Sequence, residues 1–255
     1  MALLPAAGAS TGTPQPRTVK AWDAYVAATE RRIGSELAST RGFLVSDFTP
    51  DGADARLRLL RGEVITNKMT ARASGDTLDV PDGLISHWRG SVFFPRLTLD
   101  ALLHRLQNPP ERGPFPPDVL ALRVLERQPD ALTLFIRITR ATIVTVTYDT
   151  EHEITYRHHG AERASSRSVA TRIAQIGDGG DRGYLWRLNA YWRYEQVSGG
   201  VIVELESLTL SRAVPFGLTS IVRPLVDRIA RESVARTLDG VRQVYGAPET
   251  APPAR

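Results

Sequence analysis

The pattern that most constrains the fold lies near the C-terminus, where two alternating segments are followed by a long amphipathic one. From residue 184 to 194 every second residue is apolar, with Arg187 and Arg193 among the polar residues between them. This period is typical of a strand with one buried face. Residues 201–212 form the second segment, and the Ser-Gly-Gly sequence at 198–200 predicts a tight reversal. The two segments therefore predict a β-hairpin.

The pairing of this hairpin can be predicted from the position of its turn. If the reversal is centred on residues 199–200, Tyr194 faces Leu205 on one side of the sheet and Arg193 pairs with Glu206 on the other. One register thus gives an aromatic inner face and an ion-paired outer face. A slip of one residue would exchange the two faces.

Beyond Pro215 the apolar period changes to that of a helix. Pro224 either starts or kinks this helix, and Gly246 ends it. The apolar side includes the small polar residues Ser233 and Thr237. A helix with one such side needs a sheet to pack against.

Composition restricts the class of protein. The 255 residues are 42% hydrophobic, which is enough for a real core, and the net charge is +4. Because this excess is small and scattered, a nucleic-acid partner is not expected. There is no cysteine, so disulfides and thiolate metal sites are excluded. We predict one domain at 18–245, consisting of an N-terminal helix and short strands (18–79) and a core (80–245).

Both termini are predicted to be disordered, over residues 1–17 and 246–255. The first segment is rich in Ala, Gly, Pro, Ser and Thr. It lacks the basic start of a signal peptide, which favours a cytoplasmic protein. Residues 3–10 nevertheless look like the end of such a peptide, and a truncated start would make the protein periplasmic or secreted.

The remaining chain predicts a helix at 18–38, weak short strands within 43–79 that include Leu57 and Leu59, and a strand at 84–94. A short helix follows, started near Thr98. Four strands are then predicted at 119–127, 132–140, 142–157 and 163–176. A run of strands between helices indicates an antiparallel sheet in an α+β fold.

This element order resembles the START-like superfamily, which includes the polyketide cyclase/dehydrase (SRPBCC) group. Residues 84–90, 148–153, 165–168 and 185–193 are similar to uncharacterised bacterial members of it. The resemblance covers about 81–244. It implies a helix-grip fold, in which a curved antiparallel sheet wraps around a long C-terminal helix, here with an extra N-terminal helix. It carries little weight for activity, because the superfamily contains binders, transfer proteins and enzymes.

The histidines do not form a predicted metal site. On an extended strand His152 and His158 share a face but lie roughly 20 Å apart at about 3.3 Å per residue, while His159 points to the opposite side. They cannot jointly bind one ion. We expect no metal, no cofactor and no catalytic set, with His152 either a structural residue or a lone base facing a cavity.

A set of inward-facing residues forms the candidate ligand site. The aromatic members are either ordinary core or the wall of a cavity beneath the last helix. Arg140 points inward if its strand has no bulge, and a buried guanidinium there would require a carboxylate from the protein or the ligand. The predicted ligand-binding residues are Trp88, Arg140, Tyr148, His152, Trp186, Trp192, Tyr194, Ser233 and Thr237.

The resulting functional hypothesis is binding or transport of a hydrophobic small molecule, such as a lipid, isoprenoid or polyketide, between sheet and helix. Entry is predicted beneath residues 109–117 and 213–220, and transient membrane contact is compatible with such a carrier. The first alternative is an enzyme of cyclase or dehydratase type, with His152 or Tyr148 as acid or base. The second is a structural or interaction domain with a filled interior. The sequence gives no indication of oligomeric state.

Overall fold

The computed structural model describes residues 13–73, 76–141, 145–177, 185–213 and 219–246. Most of the two predicted disordered termini, at 1–12 and 247–255, lies outside these residues, as does the predicted entry segment at 214–218. Tyr184 and Thr142, the predicted starts of two strands, lie outside them as well.

Eight strands form one antiparallel sheet in the order β1-β4-β10-β9-β8-β7-β6-β5. The two remaining strands, β2 (Arg72–Ala73) and β3 (Asp76–Thr77), pair with each other. The sheet strands are β1 (Ile65–Lys68), β4 (Gly83–Pro95), β5 (Val119–Gln128), β6 (Ala131–Ala141), β7 (Thr145–His158), β8 (Arg163–Ile176), β9 (Arg187–Val197) and β10 (Gly200–Arg212).

Four α-helices accompany these strands in the described part of the chain. They are α1 (Pro16–Leu37), α2 (Gly52–Leu60), α3 (Leu99–Gln107) and α4 (Thr219–Tyr245). The predicted start of α3 near Thr98 is confirmed, and the Thr98 side chain caps the helix by accepting a hydrogen bond from the Ala101 backbone N–H. Pro224 lies inside α4.

The prediction of strands around Leu57 and Leu59 is wrong. Both residues belong to α2, where Ala55 and Leu59 are buried one turn apart while Leu57 and Leu60 are exposed. In so short a segment, alternating leucines fit either period, and the buried pair at i and i+4 follows the helix.

The hairpin has the predicted faces but a register displaced by two residues. Val197 pairs with Gly200, so the turn contains Ser198 and Gly199. Tyr194 consequently lies opposite Val203. Side chains repeat every two residues along a strand, so a displacement of two leaves each on its predicted side.

The long helix α4 crosses one face of the sheet, which we call the inner face. On one flank of the helix, Val234 and Leu238 lie over Gly90 of β4, where an added Cβ would come within 2.5 and 2.6 Å of their side chains. On the other flank, Gly240 lies against Pro117, just before β5. Because β4 and β5 are six positions apart in the sheet, the sheet must curve around α4 to reach both flanks.

The opposite, outer face of the sheet is covered by α1. An apolar cluster between them includes Trp22 and Tyr25 of α1 with Leu208 and Leu210 of β10. The described residues thus form three layers, with α1 outside, the sheet in the middle and α4 inside its curve.

Candidate functional site

The groove between the inner face and α4 has a floor of small side chains. In the sheet register, Ser168 of β8 lies beside Ala190 of β9, which lies beside Ser207 of β10. Trp88 of β4 follows at the same level. Three neighbouring strands therefore leave space at one level, next to an indole ring.

The side chains of the floor are more exposed than is usual at the centre of a sheet. Leu188, Ala190 and Trp192 on β9 are half-buried, and so are Ser207 and Thr209 on β10. The outer-face residues that alternate with them on the two strands are buried. The usual contrast between a covered inner face and a solvated outer face is thus inverted here.

The roof of the groove shows the same contrast. At 3.6 residues per turn, the side of α4 that lies between its two flanks carries Ala230, Ser233 and Thr237. All three are half-buried, whereas Val234 and Leu238 on the β4 flank are buried. The predicted ligand-site residues Ser233 and Thr237 therefore lie on the side of α4 that faces the floor, and neither is fully buried.

Three of the predicted aromatic residues lie together on the inner face, in one hydrophobic cluster. Trp88 is 8% exposed and packs in one cluster with Tyr194 and Trp192. The rings of Trp192 and Tyr194 are stacked with centroids 6.4 Å apart, and the Tyr194 hydroxyl lies 3.0 Å from Ser166 Oγ. Burial raises the pKa of Tyr194 well above its usual value. The Trp88 indole N–H has no acceptor among the described residues.

Trp186 does not join them, so its place in the predicted site is wrong. It packs against Trp22 and Tyr25 in the outer cluster with α1. Its neighbour Leu185 packs with the inner-face cluster instead. Both residues precede the start of β9 at Arg187, and the alternation that fixes faces within a strand does not extend to them.

His152 lies on the inner face, 7% exposed, in a directional chain of hydrogen bonds. Thr150 Oγ1 donates to the Ile136 carbonyl at 2.8 Å, so it accepts from His152 Nε2 at 3.0 Å. Nδ1 then accepts from Ser168 Oγ at 3.2 Å. Burial lowers the pKa of His152 to about 4, so the ring is neutral at physiological pH.

The two remaining predicted site residues lie near one end of β6 and β7. Tyr148 is 3% exposed and clusters with Ile138 and Val146 on the inner face. The β6–β7 pairing continues without a bulge to Arg140, so the inward alternative for Arg140 is confirmed. Arg140 Nη1 donates to Asp118 Oδ2 at 2.6 Å.

The outer face holds a buried network of charges in which the predicted Arg193–Glu206 pair is replaced by other partners. Arg193 is 3% exposed and Glu204 and Glu206 are 1% and 2% exposed. His87 Nε2 lies 2.5 Å from Glu206 Oε1, and Arg32 of α1 also pairs with this carboxylate. Burial opposes ionisation of Glu206, but the hydrogen bond from His87 and the charge of Arg32 lower its pKa to about 2.

Two open surface depressions lie away from the half-buried positions of the groove. One, of about 340 Å³, is lined by the end of α3 and the β5–β6 turn, including Gln107 and Arg127. The other, of about 450 Å³, lies between the ends of α2 and α4 and includes Leu60 and Arg242.

Within the described ranges, no three His, Asp or Glu side chains are close enough together to hold a metal ion. No helix in the same ranges has the length and apolar character needed to cross a membrane.

Comparisons with solved structures give similar backbones at low sequence identity. A STAR-related lipid transfer protein fragment from Xanthomonas axonopodis is 16% identical over 69% of this chain and 97% of its own, with a TM-score of 0.47. Human StAR-related lipid transfer protein 5 is 10% identical over 89% and 97%, with a TM-score of 0.44. The Zhui aromatase/cyclase from a Streptomyces species is 12% identical over 62% and 92%, with a TM-score of 0.43.

No protein-family model matches the sequence, and no curated protein matches it. Similarity at the level of the solved structures concerns the backbone path and does not indicate what this chain binds. The fold itself follows from the molecule's own topology: an antiparallel sheet curved around a long C-terminal helix, with an additional helix on its outer face. The chain therefore has the START-like helix-grip fold.

Proposed function

We propose that the protein binds a hydrophobic small molecule, such as a lipid, isoprenoid or polyketide, in the groove between the inner face and α4, and acts as its carrier. One observation carries the proposal. The side chains that face each other across the groove, among them Ala190, Ser207, Ser233 and Thr237, are half-buried, while the flanks of α4 are sealed. Space that is lined by small side chains and bounded by aromatic rings suits an apolar ligand.

The driving force for binding would be the removal of apolar surface from water. At about 25 cal/mol per Å², a ligand that buries roughly 300 Å² gains about 7.5 kcal/mol before the cost of immobilisation. The half-buried Trp192 ring, which stacks on Tyr194, supplies flat contact area. The Trp88 indole N–H supplies a donor that a ligand oxygen could satisfy. A carrier of this kind loads and unloads at membranes, so transient membrane contact belongs to the proposal.

The groove geometry favours binding over acid–base catalysis. Both ring nitrogens of His152 are within hydrogen-bond distance of protein hydroxyls, on Thr150 and Ser168. Its pKa of about 4 also leaves it a weak base. Residues that act on a substrate would need a free nitrogen or oxygen directed at it.

A groove-filling substitution tests the proposal. Thr237→Phe places a ring inside the groove, and Thr155→Phe places the same ring on the exposed outer side of β7. We expect Thr237→Phe to weaken binding of the neutral dye Nile red, measured by fluorescence titration, at least tenfold with little change in thermal unfolding. Thr155→Phe should bind like the parent protein.

Two results would contradict the proposal. If the parent protein does not bind Nile red and carries no ligand in native mass spectrometry, the groove is not a binding site. If Thr237→Phe strongly lowers the unfolding midpoint, the interior is already filled with side chains, because overpacking a dense core is destabilising. That outcome would support the alternative of a structural domain.

A further inference from the structure

A charge imbalance lies at the side of the groove, where two arginines share one aspartate. Arg140 Nη1 donates to Asp118 Oδ2 at 2.6 Å. Arg236 of α4 approaches the same oxygen, with Nε at 3.7 Å. The two guanidinium groups carry two positive charges and the carboxylate carries one negative charge. One positive charge at this position is therefore not balanced within the cluster.

The cluster is partly shielded from water, which makes the imbalance costly. The side chains of Arg140 and Asp118 are 28% and 21% exposed, and that of Arg236 is 44% exposed. Burial and the nearby Arg236 lower the pKa of Arg140, although Asp118 opposes this. Like charges that converge in a partly dry site favour the entry of an anion.

Two other arginines on these elements each have a carboxylate of their own. Arg137, the outward-facing neighbour on β6, makes two hydrogen bonds to Asp149 at 2.7 and 2.9 Å. On α4, Arg228 pairs with Glu232 at 3.0 Å. Arg137 and Arg228 thus differ from the pair at Asp118, where two guanidinium groups approach one carboxylate.

The cluster also has a suitable position. Arg236 lies three residues after the groove-facing Ser233, slightly less than one helical turn and about 4.5 Å along the axis of α4. Arg140 continues the inner-face row of β6 that includes Ile138, next to buried Tyr148. An anion bound between the two arginines would therefore have an apolar wall beside it.

We infer that the ligand is an amphiphile with an anionic head, a carboxylate or phosphate, which binds between Arg140 and Arg236 while its apolar part occupies the groove. This inference rests on the proposed function and specifies its ligand class. Arginine suits the role because its planar fork can make paired hydrogen bonds to either head group.

The test compares ligands that share one chain length and differ in the head. Dodecanoate and dodecanol are titrated into the parent protein by calorimetry, with acetate and inorganic phosphate as heads without a chain. We expect dodecanoate to bind at least tenfold more tightly than dodecanol, as for one charge-assisted hydrogen bond. Acetate and phosphate should not bind measurably at millimolar concentration.

Matched variants assign the effect to the cluster. Arg140→Gln and Arg236→Gln should each weaken dodecanoate binding about tenfold and leave dodecanol binding unchanged. Arg137→Gln and Arg228→Gln, on the same two elements, should change neither. Asp118→Asn should strengthen dodecanoate binding, because it removes the competing carboxylate. A purely structural salt bridge predicts no gain in that variant.

The possible failures are distinguishable. Equal affinities for dodecanoate and dodecanol, or acetate binding as tight as dodecanoate binding, would overturn this inference and leave the groove as a neutral apolar site. Absence of binding by dodecanol, dodecanoate and Nile red would overturn the proposed function as well. If Arg140→Gln fails to fold, the more exposed Arg236→Gln and Asp118→Asn decide the question alone.

Discussion

His152 is kept neutral by its surroundings. The Ile136 carbonyl fixes the direction of the Thr150 hydroxyl, which in turn makes Nε2 the protonated nitrogen of the ring. Protonation of Nδ1 would add a charge to a site that is 7% exposed. The nearest polar group there is the Ser168 hydroxyl, which cannot balance a charge.

This burial predicts a loss of stability on acidification. The pKa of His152 is about 4 in the folded protein against 6.5 for the free side chain, so the unfolded chain takes up the proton first as the pH falls. Stability is lost from about pH 6.5 downward, and at pH 5 the loss is roughly 2 kcal/mol relative to pH 7. Urea unfolding at the two pH values measures it.

The His152→Gln variant should reduce this pH dependence, while His104→Gln, at an exposed position, should retain it. An unchanged slope in His152→Gln would mean that another group titrates. Glu206 affects stability at lower pH. Because its pKa is lowered from 4.5 to about 2, the stability that its ionised form contributes is lost as the pH falls below about 4.5.

The face on which a single residue lies was predictable from the sequence where that residue belongs to a regular strand. Trp88, Trp192 and Tyr194 share the inner face as the two-residue period requires. Trp186 does not, because it precedes the strand and no local signal marks where the alternation begins. The sequence did not decide on which face of the sheet Arg140 lies, because this depended on the absence of a bulge in its strand.

At the scale of elements, the strands and the long helix were predictable because each has its own period. The pairing between elements was less predictable from the sequence. The hairpin register depends on whether the turn centres on residues 198–199 or 199–200, and the Ser-Gly-Gly sequence permits both. The docking of α4 depends on Gly90, which is distant in sequence from Val234 and Leu238.

Gly90→Ala should loosen this docking. The added Cβ would lie 2.5 Å from Val234 Cγ1 and 2.6 Å from Leu238 Cδ1, so α4 or its side chains must move. We expect a loss of about 1–3 kcal/mol in the free energy of unfolding. If Gly90→Ala increases hydrogen exchange in α4 more than in α1, relative to the parent protein, the loss of stability arises where α4 docks on the sheet.

A second substitution checks the cause. Val234→Ala in the Gly90→Ala background should cost less than in the parent protein, because it removes the clashing methyl groups. Gly34→Ala, in α1 with open space around the added Cβ, should be neutral or slightly stabilising. Strict additivity of the first two substitutions would refute direct contact between these sites.

For the whole molecule, the outer face determines how the N-terminal layer is attached. The alternation of β9 correctly separated two faces, but the polar face is buried, not solvated. Its charged groups have partners as far as 157 and 174 positions away in the chain, as in Arg193 with Glu36 and Glu206 with Arg32. A sequence pattern within a strand carries no information about such distant partners.

Arg193 joins this layer to the sheet most directly. Its guanidinium donates to Glu36 Oε2 at 2.5 Å and to the Phe43 carbonyl at 2.7 Å, and its side chain is 4% exposed. Arg193→Met keeps much of the volume but removes both bonds, leaving a carboxylate and a carbonyl without this donor. Removal of one partner from a buried pair typically costs about 3–5 kcal/mol.

We therefore expect Arg193→Met to lower the free energy of unfolding by about 3 kcal/mol or more in urea denaturation. Arg187→Met, on the same strand, should cost less than about 1 kcal/mol, because half-buried Arg187 donates to the carbonyl of its own neighbour Trp186. Nile red binding in the inner groove should survive Arg193→Met wherever the protein remains folded, since the sheet separates the two faces. Equal costs for the two variants would show that the buried charges do not hold the N-terminal layer in place.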